Sequence, residues 1–282
     1  MGGVTTPELA GAVARAGALG MLSEFEPNPA PARIDRAVAL ADGGAVGMGF
    51  FGQWMARDLA TYEMAAARLR VVEIFWTTPD ASTVERARRS GRALVAWQVG
   101  SADDAVAAED AGCDLVIAQG IEAGGHVRGT TPRDELLDAT LTRISIPIVA
   151  AGGIATASDV ARLITAGAAA VRVGTAFVAC NESNTHPEYV NALIRARSGD
   201  DTVMTTAFDQ GWRDAPHRVL RSALAAAKAD PDAIFSPLPP GRDATGRIDR
   251  MALYAGMGVG SVDRLRPAAD VVAALTSALK SD

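Results

Sequence analysis

The chain has 282 residues, of which 49% are hydrophobic and 21% charged, with a formal net charge of −6. That acidic balance excludes a protein that binds by neutralising a phosphate backbone. No stretch approaches the roughly 20 apolar residues of a membrane span, and Glu8 and Arg15 interrupt the N-terminal run a signal peptide needs, so a cytoplasmic protein with neither nucleic-acid nor membrane partners is expected.

Short apolar runs alternate with Ala-rich amphipathic stretches, the pattern of βαβ units around a parallel sheet. In chain order the predicted strands are Ala18 to Leu22, Ala45 to Phe50, Val71 to Trp76, Ala93 to Gln98, Asp114 to Ala118, Pro147 to Ala151 and Ala170 to Gly174. Helices are predicted at Pro7 to Ala16, Pro31 to Leu40, Arg57 to Leu69, Asp80 to Ser90, Ala102 to Ala111, Pro132 to Arg143 and Ala157 to Ala166. Ser101 stands as N-cap before Ala102, and Thr131 precedes Pro132 at a first helical position where the missing N–H costs nothing. Gly17, Gly91, Gly112 and Gly167 mark helix exits, read as left-handed turns. Cys113 and Cys180 have no Cys or His at zinc spacing and read as packing residues, so no metal site is expected.

Beyond Thr175 the rhythm changes: a helix from Pro187 to Arg197, a strand-like run from Thr202 to Phe208, a helix from Ala215 to Lys228 and a Pro-rich loop. These suggest an α/β protein built on a parallel (β/α)8 TIM-type barrel over 1–179, a small lid over 180–252, and a return to the barrel with a last helix, Pro267 to Lys280, over 253–282. Eight strands close such a barrel and seven are found. The expectation is that the first strand is missing at the N-terminus, the authentic start lying upstream, or that the barrel is completed in another way, with its open edges covered.

Two stretches carry chemistry. AQGIEAGGHVRGT, Ala118 to Thr130, follows a strand directly, on the face where barrel active sites are built; its glycines let backbone approach a ligand, and His126 stands where a general acid or base would. VAAGGIATASDVARLITAGAAAVRVGT, Val149 to Thr175, places Gly152-Gly153 and Gly174-Thr175 at two successive strand ends, an arrangement suited to gripping a phosphate with backbone N–H groups.

With those residues in view, GGVTTPELAGAVARAGALG, AQGIEAGGHVRG, AAGGIATASDVARLITAGAAAVRVGTAF and YAGMGVG, running from Gly2 to Gly260, resemble the successive blocks of nitronate monooxygenases (2-nitropropane dioxygenases) and of the related flavin-type enoyl reductases. The resemblance implies FMN as cofactor. Its phosphate would lie against Gly152, Gly153, Arg172, Val173, Gly174 and Thr175, and its ring beside Gln119 and Gly124, with Met1 and Gly49 at positions that touch the flavin in the family. It also implies that His126 is the catalytic acid/base. The chain departs from the pattern in four places: Met1 matches only the last residue of the family's opening Ala-Pro-Met, Gly49 stands where the family carries Asn, Met257 stands where it carries Gln, and Val127 is an extra residue before Arg128-Gly129.

Three functions follow. The first is oxidation of alkyl nitronates by FMN and dioxygen. The second is NAD(P)H-dependent reduction of an enoyl or CoA-thioester substrate, in which Arg213, Arg218 and Arg221 of the lid either meet a substrate phosphate or form a solvated helix face. The third is a degenerate, non-catalytic barrel. The expected partners are a small-molecule substrate, NAD(P)H under the second reading, and a second copy of the chain if it forms a homo-oligomer. Trp76, Trp97 and Trp212 are candidates for an apolar pocket wall, Glu122 for orienting the His126 loop, and His186 and His217 read as surface residues on lid helices. Arg86, Arg88 and Arg89 read as a solvated helix face.

Overall fold

The structure, a computed structural model, describes residues 1–24, 30–212 and 214–279. Seven parallel strands pair in chain order in a single sheet: β1 (Gly20–Ser23), β2 (Val46–Phe51), β3 (Val71–Phe75), β4 (Leu94–Val99), β5 (Leu115–Gln119), β7 (Ile148–Ala151) and β8 (Ala170–Arg172). The connecting helices are α1 (Pro7–Arg15), α2 (Ala30–Ala41), the single turn α3 (Gly52–Met55), α4 (Leu59–Arg68), α5 (Ala81–Ser90), α6 (Ala102–Asp110), α7 (Arg133–Leu141) and α8 (Ala157–Thr165). This is the expected α/β architecture, a curled parallel sheet of the β/α-barrel type. Among the described residues β1 and β8 are the two ends of the sheet and do not pair with each other.

The period-2 alternation of a strand sorts its side chains onto two faces. Val72, Ile74, Val95, Trp97, Val116, Ala118, Ile148 and Ala150 belong to the large core beneath the helices. Val71, Ala96, Ile117 and Ala151 form a separate small cluster inside the curl. Trp97 therefore does not line a pocket: it is fully buried among the helices, and its indole N–H donates to the Thr77 carbonyl at 3.1 Å.

Ser101 caps its helix as expected from the sequence, and four other helices start in the same way. Thr6, Asp58, Asp80, Ser101 and Thr156 each accept a backbone N–H three residues on, satisfying donors that the helix itself cannot. Pro132, however, is the N-cap of α7 rather than its first helical residue. Gly17, Gly112 and Gly167 are left-handed, at φ 91°, 88° and 109°, whereas Gly91 is extended at φ −174°. Glycine is required at Gly91 because a Cβ there would fall 2.2 Å from the Ala66 carbonyl oxygen.

After β8 come the turn α9 (Thr175–Val178), α10 (Pro187–Arg195), β9 (Thr202–Thr205), β10 (His217–Leu220), α11 (Arg221–Lys228) and α12 (Ala268–Thr276). The stretch Ala215 to Lys228, expected to be one helix, is thus a strand followed by a helix. The reason is tertiary: all four β10 residues are buried, and β10 is the middle strand of a second sheet, paired antiparallel with β9 on one side and with β6 (Gly125–His126) on the other. Residues 1–6 lie beside the exit from β8, where Asn184 N–H donates to the Val4 carbonyl at 2.8 Å and the Asn184 side-chain amide to the Gly3 carbonyl at 3.2 Å. Among the described residues no helix is long and apolar enough to cross a membrane.

Candidate functional site

Five of the parallel strands contribute a polar residue or a glycine to one interior cavity: Gly49 on β2, Glu73 on β3, Gln98 on β4, Gln119 on β5 and Arg172 on β8. These residues ring a cavity of about 310 Å³, large enough for a small-molecule site. Met1, Gly49, Gln119, Gly124, His126, Gly152, Gly153, Arg172, Val173, Gly174 and Thr175 all line this one cavity. Residues more than 170 positions apart in sequence are therefore brought together as the motifs suggested.

The glycine turns have the backbone that close approach requires. Gly152 and Gly153, directly after β7, hold φ of 113° and 65°, a region costly for other residues. A Cβ on Gly153 would lie 2.9 Å from the Glu122 Cβ, and one on Gly124 would lie 2.4 Å from the Gly256 nitrogen. Gly174 caps α9, whose first N–H groups have no acceptor within the helix by construction. Thr175 holds the last Gly-rich turn in place, its Oγ1 accepting the Gly256 N–H at 3.0 Å. Arg133 escaped the sequence reading, yet its guanidinium donates to the Gly152 carbonyl at 2.7 Å and keeps a positive charge beside the two-glycine turn.

His126 sits on β6, and Gln119 Nε2 donates to its carbonyl at 2.9 Å. Its imidazole stacks on Trp212 with ring centroids 3.8 Å apart and planes 21° from parallel. Phe51, Trp54 and Trp76 surround Trp212 with centroids 4.7 to 4.9 Å away, and Tyr254 lies 5.6 Å from the imidazole. Trp76 reaches this place through a backbone φ of 68°, an outlier for a bulky residue and of the sort that clusters at functional sites. Burial in this box, reinforced by His217, pushes the His126 pKa down to about 3, so the ring is neutral at physiological pH.

His217 is a correction to the sequence reading. It is fully buried on β10, directly across the pairing from His126, and not on a surface helix. Its Nδ1 faces the Ala215 carbonyl at 2.8 Å and its Nε2 accepts the Phe208 N–H at 3.3 Å, which fixes a neutral Nδ1–H tautomer in a structural role. His186 caps α10, its Nδ1 accepting the Glu188 N–H at 3.1 Å.

Glu122 is half-buried: its carboxylate accepts the Arg133 N–H at 3.0 Å and its carbonyl the Met257 N–H at 2.9 Å, tying the His126 loop to α7 and to the last Gly-rich turn. The Met257 side chain itself is exposed.

Two of the three arginines expected to meet a substrate or solvent are committed to backbone carbonyls. Arg218 lies buried on β10 and donates twice to the Ile121 carbonyl, while Arg221 donates to the carbonyls of Asp200 and Thr202; Arg213 falls outside the described residues. Arg218 is thus neither on a solvated helix face nor turned to a substrate phosphate. Arg86, Arg88 and Arg89 do form an exposed face, laced by ion pairs to Glu63, Asp114 and Glu85.

Four buried side-chain polar atoms among the described residues have no hydrogen-bond partner, and three of them, Glu73 Oε2, Gln119 Oε1 and His126 Nε2, belong to residues lining this cavity. Unpaired buried polar atoms are costly. Their concentration here, with glycine turns of open backbone, fits a site built for a polar ligand that brings hydrogen-bond donors to them. No group of three or more His, Cys, Asp or Glu that could hold a metal ion occurs among the described residues. Both thiols are buried, which pushes their pKa up to about 12 and keeps them protonated.

A family profile described as nitronate monooxygenase matches residues 53–278. Nitronate monooxygenase of Pseudomonas aeruginosa is 34% identical over 192 residues, an alignment that covers 63% of this chain and 54% of that enzyme; the chain thus matches about half the length of this curated relative. Among solved structures, nitroalkane oxidase from Streptomyces ansochromogenes superposes with a TM-score of 0.77 at 28% identity, covering 99% of this chain and 93% of the other. FabK from Thermotoga maritima superposes with a TM-score of 0.79 at 26% identity, covering 98% and 90%.

Proposed function

Because the chain belongs to the nitronate monooxygenase family, whose members are flavin-dependent oxidoreductases, we propose that it holds FMN in the cavity at the strand ends and oxidises alkyl nitronates with dioxygen. His126 acts as the acid/base. The observation that carries this reading is His126 Nε2: a buried, unpartnered nitrogen of a neutral imidazole, on a residue that lines the same cavity as the two glycine turns.

Gly152, Gly153, Gly174 and Thr175, with Val173 and the backbone of Arg172 between them, would receive the phosphate. Gln119, Gly124, Gly49 and Met1 would border the ring. Bound flavin supplies an electron acceptor that dioxygen reoxidises. The chain's own residues do the rest. The box of Phe51, Trp54, Trp76 and Trp212 excludes water and favours a substrate with an apolar carbon chain. With a neutral nitroalkane, His126 Nε2 would take the proton from the carbon bearing the nitro group and leave the nitronate, whereas a nitronate supplied as such has already lost that proton; the anion beside it raises the imidazole's proton affinity, so that its depressed pKa does not prevent transfer.

Mixing the FMN-loaded protein anaerobically with an alkyl nitronate is expected to bleach the flavin's visible absorbance. An unchanged spectrum rejects this reading.

The likeness to FabK supports a second reading, NAD(P)H-dependent reduction of an enoyl or CoA-thioester substrate on the same scaffold. Here NADPH alone would reduce the flavin quickly. Commitment of Arg218 and Arg221 to backbone carbonyls removes two cations such a phosphorylated substrate could use. A non-catalytic barrel is disfavoured by the three unpaired polar atoms that the cavity retains. A protein that purifies colourless and takes up no added FMN would revive it.

A further inference from the structure

Glu73 is the acidic residue in the middle of the otherwise apolar run Val71–Phe75, and its side chain is 4% exposed. One carboxylate oxygen, Oε1, accepts from Arg172 Nη1, which also donates to Gln98 Oε1 at 2.7 Å. The other, Oε2, has no partner. It borders the cavity next to Gly49, where an added Cβ would sit 3.6 Å from Oε2, so the absence of a side chain at Gly49 leaves the space before this oxygen open. Arg172, by fixing Gln98 Oε1, also turns the amide so that its Nε2 donor points away from the guanidinium.

The resulting edge offers one strong acceptor, Glu73 Oε2, in a network whose other exposed functions, the Arg172 guanidinium and the Gln98 amide, are donors. That is the complement of a cyclic imide, O=C–N(H)–C=O. Because Glu73 and Arg172 form an ion pair, the edge is close to neutral. A neutral N–H can approach Oε2, while a second cation would meet Arg172.

We propose that Glu73, held by Arg172 and Gln98, is the specificity-determining residue for the imide edge of the bound cofactor, accepting the hydrogen bond from its ring N–H through Oε2. This rests on the flavin reading above and names a residue that reading does not use.

The test is fluorescence titration of the full chain with FMN and with N3-methyl-FMN, which keeps the phosphate and ring but lacks the N–H. The unaltered protein is expected to prefer FMN by roughly tenfold or more, the scale of a hydrogen bond to a charged acceptor, and Glu73→Ala to reduce that preference to about twofold or less. Glu73→Gln, which keeps a carbonyl acceptor and the shape, should retain part of it. Equal preference in the unaltered protein and Glu73→Ala overturns the proposal while leaving flavin binding intact. Failure of the unaltered protein to bind either flavin overturns both it and the cofactor reading. Should Glu73→Ala not fold, the N3–H resonance of 15N-labelled FMN decides: an upfield move between the unaltered protein and Glu73→Gln supports the assignment, and an unmoved resonance overturns it.

Discussion

The stacked, dehydrated imidazole of His126 makes a quantitative prediction about acid stability. The group's pKa falls from 6.5 when free to about 3 in the fold. Between those values the unfolded chain binds a proton that the native chain refuses, so native stability contributed by this residue is full above pH 6.5 and is lost as pH falls through that window, at up to about 1.4 kcal/mol per pH unit. From pH 7 to pH 5 the loss is about 2 kcal/mol. Glu24 works in the opposite sense. Burial raises its carboxyl to about 7, against a hydrogen bond from the Phe51 N–H at 2.6 Å that lowers it. Its contribution is full below pH 4.5 and is lost as pH rises through 7, so over the same interval it regains about 2 kcal/mol as pH falls.

The two nearly cancel, and the unaltered protein alone therefore reveals little. The informative comparison is the ligand-free protein against His126→Asn, melted at pH 7 and at pH 5. The substitution removes the ring stack and lowers stability at pH 7. At pH 5 the variant is expected to recover about 2 kcal/mol relative to the parent, or roughly 4–8 °C in Tm for a chain of this size. Stability curves that run parallel between the two pH values refute the reasoning, because they show an imidazole that protonates in the fold as readily as in water.

Three further outcomes are expected. Trp212→Ala opens the face of the imidazole that Trp212 now covers and should move the His126 titration up towards 6.5, read from its ring resonances by NMR; an unmoved titration shows that other walls dehydrate the ring. Gly153→Ala forces a side chain into φ 65° at a cost of about 1–2 kcal/mol and into contact with Glu122, so FMN affinity, followed by quenching of flavin fluorescence, should fall by at least about tenfold. Arg133→Met withdraws the donor to the Gly152 carbonyl and is expected to cost about 1.5–3 kcal/mol in thermal or urea unfolding, with weaker flavin binding but an unchanged His126 titration.

Much of the barrel was legible in the sequence because its code is local. Alternating apolar runs, the side-chain cap at Ser101, and glycine exits at Gly17, Gly112 and Gly167 each depend on a few neighbouring residues. The misreadings came where distant contacts decide. Ala215 to Lys228 looked helical because Ser222 to Lys228 is Ala-rich. His217 to Leu220 becomes a strand only because β9 and β6 offer it two partners, and β6, at two residues, is too short to leave a pattern.

The site divides in the same way. His126 and the glycine turns were found through compact motifs. Trp54 and Phe51 went unnoticed as wall residues, since the box closes only when β2 meets the loop carrying Trp212. Glu73 and Arg172 had a readable signal, a charge inside an apolar strand, but their meeting depends on the curl of the sheet.

The pairing of β6 with β10, fastened by Arg218 on the Ile121 carbonyl, has a consequence for engineering and for evolution. The imidazole is held from two sides, by β10 through the strand pairing and by β5 through Gln119 on its carbonyl. A graft exchanging residues 180–252 with those of a relative would leave His126 facing a foreign neighbour in place of His217 and a foreign plate in place of Trp212. His126 and its neighbours His217 and Trp212 therefore have to be inherited, or transplanted, together with the loop from Gly120 to Gly129.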